Sequence, residues 1–250
     1  MRRNKTIFFN DNTADYDEEV KSINKFQVQG EIIKRLNTIK LTQKQEKLMR
    51  IIEINQIVSV TGPAGTSKTF MAIYAALKFL IQNDKDAHIF LTKPIVEAGE
   101  KLGHLPGEIS DKIDPYLKSY IDLFNEILKT TLTNKLFDDN KAEFEPVAYM
   151  RGRNLENSFI IIDEAQNYTM SQLMTLVTRK HKSSKIILIG DYLQDDRFNN
   201  KNNPFKTFNT EILSNIQGTA QFTFAVKDIM RDPIIIELIE NYTKFLNKNN

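Results

Sequence analysis

Residues 56–69 read Gln56-Ile57-Val58-Ser59-Val60-Thr61-Gly62-Pro63-Ala64-Gly65-Thr66-Ser67-Lys68-Thr69: an apolar run, a Gly-rich turn and the start of a helical segment. In that order the turn is a phosphate-binding loop. Successive backbone N–H groups turn inward toward phosphate oxygens, and the helix that follows adds the positive end of its dipole. Lys68 is placed to reach the β- and γ-phosphates of a nucleoside triphosphate, and the Thr69 hydroxyl to ligate Mg²⁺. Gly62, Pro63, Ala64, Gly65, Thr66 and Ser67 form the cradle. One position departs from the usual G-x-x-x-x-G-K-[ST] pattern, because Ser67 stands where glycine ordinarily precedes the lysine. A left-handed backbone would be costly for serine. We therefore expect negative φ at Ser67, where a small side chain leaves room for the β-phosphate.

Outward from this loop the chain alternates strand and helix from Thr42 onward. The β-rich runs are Ile57–Thr61, His88–Thr92, Phe159–Asp163, Lys185–Gly190 and Gln221–Phe224. Thr42-x-x-Gln45 is a capping box ahead of an apolar-periodic segment, and Lys68–Gln82 is apolar nearly all round, as a buried helix should be. Asp114-Pro115 and Asp232-Pro233 each pair an N-cap with proline at the first helical position. Such alternation predicts a single α/β domain with a mostly parallel sheet flanked by helices. Residues 41–246 are assigned to it, 1–40 to a peripheral N-terminal arm, and 247–250 to a frayed end. Residues 131–150 interrupt the rhythm: Thr131–Phe144 is polar, and residues 144–150 fit an edge strand or hairpin arm.

Two more motifs follow at strand ends. Phe159-Ile160-Ile161-Ile162-Asp163-Glu164-Ala165-Gln166-Asn167 is a buried strand ending in two acids. After a phosphate loop the first acid, Asp163, is expected beside Mg²⁺. Glu164 is expected to polarise the attacking water, a contribution of about 10²–10⁴-fold. Ile186-Ile187-Leu188-Ile189-Gly190-Asp191-Tyr192-Leu193-Gln194 is another buried strand with a polar tip. Gln194 suits contact with the γ-phosphate or the attacking water, and Asp191 is expected behind it. The adjacent acids favour hydrolysis over phosphoryl transfer to another acceptor, which uses the same loop.

These residues resemble the PhoH family of P-loop ATPases, related to the RecA-like nucleotide-binding core of superfamily 1 helicases. The resemblance covers roughly residues 40–243. It also rests on Lys93-Pro94-Ile95-Val96-Glu97-Ala98-Gly99-Glu100-Lys101-Leu102-Gly103-His104-Leu105-Pro106-Gly107 and on Met150-Arg151-Gly152-Arg153. It implies ATP and Mg²⁺ as ligands, ATP hydrolysis, and coupling to RNA or single-stranded DNA, as a helicase or translocase. It implies a bacterial cytoplasm or a bacteriophage-infected cell as the setting. Ser67 and Lys93, where the family more often has glycine and arginine, depart from its pattern. No appended nuclease domain is seen, so RNA cleavage is not implied. Leu41-Thr42-Gln43-Lys44-Gln45 resembles an adenine-reading motif with Gln45 on the base, and Gln45 is equally the capping-box partner of Thr42. Arg231 resembles an arginine that stabilises charge on the γ-phosphate, an effect of about 10³–10⁵-fold. An ion pair with Asp228 is the alternative. Because one ATPase core is present where such helicases have two, this finger is expected from a neighbouring copy in a homo-oligomer such as a hexamer.

Bulk properties set the limits. Lys plus Arg total 34 against 32 for Asp plus Glu, a net charge of +2, so any nucleic-acid surface must be a local patch. Lys93, Lys101, Arg151 and Arg153, with Tyr149 as a stacking platform, are the candidates for one. There is no cysteine, which removes disulfide and thiol chemistry, and the three histidines are scattered. No apolar run approaches the roughly 20 residues of a membrane span. The basic start precedes only Ile7-Phe8-Phe9, too short for a signal core, so a cytoplasmic protein is expected. A nucleotide-regulated interaction module with slow turnover is the other reading.

Overall fold

The apolar runs Ile57–Thr61, His88–Thr92, Ser158–Ile162 and Lys185–Gly190 become strands covered on both faces. The computed structural model describes residues 25–83, 86–94, 109–147, 150, 153–195 and 202–249. Its strands are β1 (Ile57–Thr61), β2 (His88–Thr92), β3 (Ala142–Phe144), β4 (Ser158–Ile162), β5 (Lys185–Gly190) and β6 (Thr219–Thr223). The helices are α1 (Lys25–Thr38), α2 (Gln43–Ile54), α3 (Lys68–Gln82), α4 (Ile109–Leu128), α5 (Thr130–Asp138), α6 (Met170–Val177), α7 (Pro204–Thr207) and α8 (Pro233–Asn249). Among the described residues the strands form one six-stranded sheet in the order β3-β2-β4-β5-β1-β6. Every neighbouring pair is parallel.

Alternate residues feed two cores. Phe159 and Ile161 of β4 and Ile187 and Ile189 of β5 join the layer of α1 to α5. Their neighbours Ile160, Ile162, Ile186 and Leu188 pack on the other face with Tyr168, Leu173, Leu176, Phe205 and Phe208. A strand covered on both faces reads as continuously apolar rather than alternating, which is how β4 and β5 read. In α3 every residue from Met71 to Leu77 is buried, as its all-round apolarity required.

The parallel register positions the chemistry. Thr61 lies opposite Gly190, Ile162 opposite Leu188, and Thr92 opposite Ile162. Gly62, Asp191, Asp163 and Lys93 therefore all leave the sheet at its carboxyl edge, the edge that carries ligands in open α/β sheets.

Several expectations are corrected. The second half of the N-terminal arm is the core helix α1, with Val28, Ile32 and Leu36 buried against the α3 side. Asp114-Pro115 does not open a helix, since α4 begins at Ile109 and carries Pro115 inside it. Burial of Tyr120, Phe124, Ile127 and Leu128 outweighs the hydrogen bond a proline removes. The polar stretch 131–144 holds α5 and then β3, which pairs parallel with β2 as an edge strand and is no hairpin arm. Its polarity fits a short edge.

Candidate active site

The loop between β1 and α3 owes its shape to three left-handed residues: Gly62 at φ 144°, Gly65 at φ 81° and Ser67 at φ 58°. The expectation of negative φ at Ser67 is thereby corrected. The turn into α3 needs the conformation that glycine adopts freely, and serine takes it at a cost of about 1–2 kcal/mol. Partial compensation is visible, because Gln45 Nε2 donates to Ser67 Oγ at 3.0 Å. At Gly62 a Cβ would come within 2.6 Å of the Phe224 carbonyl oxygen, so this position has no room for a side chain. Thr66 Oγ1 donates to the Pro63 carbonyl at 2.8 Å and closes the loop on itself.

Lys68 Nζ donates to the carbonyls of Gly62 (2.6 Å) and Pro63 (2.8 Å), so the cation sits across the mouth of its own loop. Burial lowers its pKa, and the charges of Asp191, Asp163 and Glu164 oppose that effect. Thr69 Oγ1 donates to Asp163 Oδ2 at 3.2 Å, which brings the two expected metal ligands from α3 and β4 into contact. Asp163 is buried. Its Oδ2 also accepts the hydroxyl of the fully buried Tyr120 at 3.1 Å, and its Oδ1 accepts the Glu164 N–H at 2.9 Å. Burial, then the charge of Glu164, raises the Asp163 carboxyl above the usual range despite Lys93 and these hydrogen bonds. A buried carboxylate with a raised pKa is a mark of a functional site.

The residues present fit Mg²⁺. Among the described residues no cluster of three or more His, Cys, Asp or Glu could cage a metal. Mg²⁺ does not need one, since it keeps most of its waters and takes one or two protein oxygens plus substrate phosphates. Thr69 and Asp163 would be those oxygens if the ion binds here.

Glu164 stands at φ 49°, a left-handed position that swings its side chain off the line of the strand. Its Oε2 accepts from Gln166 Nε2 at 2.7 Å, and its Oε1 faces Lys93 Nζ at 3.6 Å. Gln166, wholly buried, is a hub that the sequence reading assigned no role. Its Nε2 also donates to the Gln194 carbonyl at 3.0 Å, and its Oε1 accepts the Asp191 N–H at 3.1 Å. One amide thus clamps the ends of β4 and β5 together. Asn203 supports it by donating to the Gln166 carbonyl at 3.0 Å. Asp191 accepts the Leu193 N–H at 3.0 Å and a backbone N–H of Ala64, and burial raises its carboxyl pKa. The Gln194 side chain is exposed at the rim, beside Glu164.

Gln45 makes both bonds of the capping box with Thr42, and its Nε2 also reaches Met230 Sδ at 3.4 Å. Its amide is engaged inside the protein. Arg231 does not pair with Asp228, which faces Lys44 at 3.4 Å and accepts the Ala225 N–H. Instead its side chain lies over Gly65, where an added Cβ would meet Arg231 Nε at 2.8 Å, and the Met230 N–H donates to the Gly65 carbonyl. The arginine rests on its own phosphate loop.

Of the nucleic-acid candidates, Arg153 is occupied elsewhere. It pairs with Glu145 and with Glu143, and its guanidinium stacks 4.7 Å from the Phe90 ring centroid. That corrects its place in a basic path: Glu143 lies on β3 and Glu145 just beyond its end, and nothing in the local sequence announces this. Lys93 is at the site edge. Lys101, Tyr149 and Arg151 lie outside the described residues. Among the described residues no helix is long and apolar enough to cross a membrane.

A Gly-rich loop at the end of β1, a Thr69–Asp163 contact and a neighbouring glutamate, on a parallel sheet with β5 between β1 and β4, define a RecA-like P-loop nucleotide-binding protein. A profile of the "PhoH-like protein" family matches residues 38–243. The chain belongs to that family. It is 38% identical over 206 residues to a PhoH-like protein of Synechocystis sp., covering 82% of this chain and 62% of the relative. It is 37% identical over 203 residues to one from Bacillus subtilis, covering 81% and 63%. The chain thus spans a little over six-tenths of the length of these relatives. Among solved structures it is similar to unliganded Pif1 from Bacteroides sp, with a TM-score of 0.33 and 17% identity over 81% of this chain and 45% of that one.

Proposed function

We propose that the protein hydrolyses ATP with Mg²⁺ and couples turnover to RNA or single-stranded DNA, as a helicase or translocase. The observation that carries the hydrolase reading is the contact of Thr69 with the buried Asp163, with Glu164 next in sequence. Bound Mg²⁺ would supply charge neutralisation at the β- and γ-phosphates. The chain's own residues do the rest. Backbone N–H groups of residues 65–69 hold phosphate oxygens, and Lys68 exchanges its carbonyl partners for the β- and γ-phosphates. Arg231 is within reach of the same loop in cis, and Glu164 takes the proton of the attacking water. Gln194, at the rim beside Glu164, orients that water. Arg231 in cis needs no partner subunit, so assembly into a homo-oligomer is not required for this chemistry.

The test is steady-state ATPase with Lys68→Ala as the blank and Glu164→Gln as the diagnostic. Turnover above the blank that falls about 10²–10⁴-fold in Glu164→Gln, with ATP binding retained, is expected of a hydrolase using this glutamate as base. A wild-type rate equal to the blank, with ATP bound, favours the slow interaction module, for which the strained Ser67 and the self-engaged Lys68 are the supporting observations.

A further inference from the structure

A cavity of about 430 Å³ opens at Glu164 and Gln194. Lys93 and Pro94 at the end of β2, Tyr116 on α4, Asn167, Leu193 and Tyr242 on α8 complete its walls with those two residues. None of residues 62–69 lines it, so it is a chamber that shares one wall with the nucleotide site. Its volume falls within the roughly 300–1,000 Å³ of small-molecule sites. Its chemistry is specific: two tyrosine rings from separate helices, two side-chain amides, and one cation.

That cation is not idle. Lys93 Nζ sits 3.6 Å from Glu164 Oε1, both groups about a third or less exposed, while Gln166 holds Oε2. In this arrangement both oxygens of the expected general base are engaged, one of them by a positive charge. With Lys93 against one oxygen and Gln166 on the other, the lone pairs of Glu164 are directed at protein groups rather than at an attacking water. An anion entering the chamber would compete for Lys93 and free Glu164.

We infer that the chamber receives one nucleotide unit of a single-stranded nucleic acid, its base against Tyr116 and Tyr242 and its phosphate on Lys93, and that withdrawing Lys93 from Glu164 is what accelerates ATP hydrolysis. Tyrosine faces suit every base, the amides of Asn167 and Gln194 suit base edges, and a single cation suits one phosphodiester. The inference rests on the proposed reading of Glu164 as base. It adds a binding site and a switch that neither the phosphate loop nor the acid pair contains.

Two readouts separate it from that reading. The first is 2-aminopurine fluorescence in U20 and dT20 oligonucleotides, which needs no turnover. Wild type should quench the probe, and Tyr116→Ala and Tyr242→Ala should each weaken binding about tenfold, in the range of one lost base stack. The polymer that is quenched tells RNA from DNA. The second is ATPase of Lys93→Met. Its rate without polymer should rise about three- to fivefold, as loss of an ion pair of this exposure permits, and polymer should add nothing further. An unquenched probe overturns the inference, as does a Lys93→Met enzyme with wild-type basal rate and stimulation. If turnover is absent but quenching and its loss in the tyrosine variants are seen, the chamber stands as a binding site, while the switch falls with the hydrolase reading.

Discussion

Tyr120→Phe removes one oxygen atom from the core and should change how the site holds its metal. The Tyr120 hydroxyl lies 3.1 Å from Asp163 Oδ2, while the ring itself packs 5.6 Å from the Phe144 centroid and would stay in place. A hydrogen bond to a charged acceptor is worth about 1.5–3 kcal/mol. Thr69 still donates to the same oxygen, which softens the loss. Burial raises the Asp163 pKa, and the Tyr120 bond is among the contacts that pull it back down, so its removal lets that pKa rise further. Protonated Asp163 cannot hold a cation. The acid limb of the pH–rate profile should therefore move to higher pH, and the Mg²⁺ concentration for half-maximal ATPase should rise about 10–100-fold, as for other contacts behind a metal ligand. The assay is a Mg²⁺ titration of ATPase at several pH values, with a thermal melt to confirm an intact fold. A folded variant whose Mg²⁺ dependence and acid limb both superimpose on wild type would refute this account of Tyr120.

Asp163→Asn should stabilise the ligand-free protein while abolishing turnover. With its folded pKa raised, the carboxyl contributes stability below its unfolded pKa and loses it as pH rises through the folded one, so at neutral pH the buried charge is a burden. A melting temperature higher by at least about 2 °C at pH 7, shrinking toward acid pH, is expected; a lower one at pH 7 refutes it. At position 67, Gly should be more stable than Ala by about 1 kcal/mol, or about 2–4 °C in Tm, because both lose the Gln45 bond and only Ala keeps the left-handed strain. The opposite order, normal for a residue at negative φ, would show that the strain is absent.

The phosphate loop, the acid pair and the helix α3 were legible because each is local. Strand, turn and helix are encoded within a dozen or so residues, and Lys68, Thr69, Asp163 and Glu164 sit at fixed offsets from them. Gln166 lay inside a motif that was read, yet its role depends on the partners Asp191 and Gln194, which only the pairing of β4 with β5 supplies. Tyr116 and Tyr120 gave no signal, since aromatic residues one turn apart on an amphipathic helix read as core. Arg153 looked free because its two glutamates lie on, and directly after, an edge strand too short to recognise.

By itself, then, the order of residues determined a P-loop α/β domain with its phosphate loop and acid pair, because backbone turns and hydrophobic periods are short-range. Tertiary structure decided the rest. It set the sign of φ at Ser67, put Arg231 on its own loop, assigned Tyr120 to Asp163 and left the Lys93–Glu164 pair at the wall of a second chamber. Each of those turns on distances between elements far apart in the chain, which only the parallel register and two-sided packing of the sheet bring within reach.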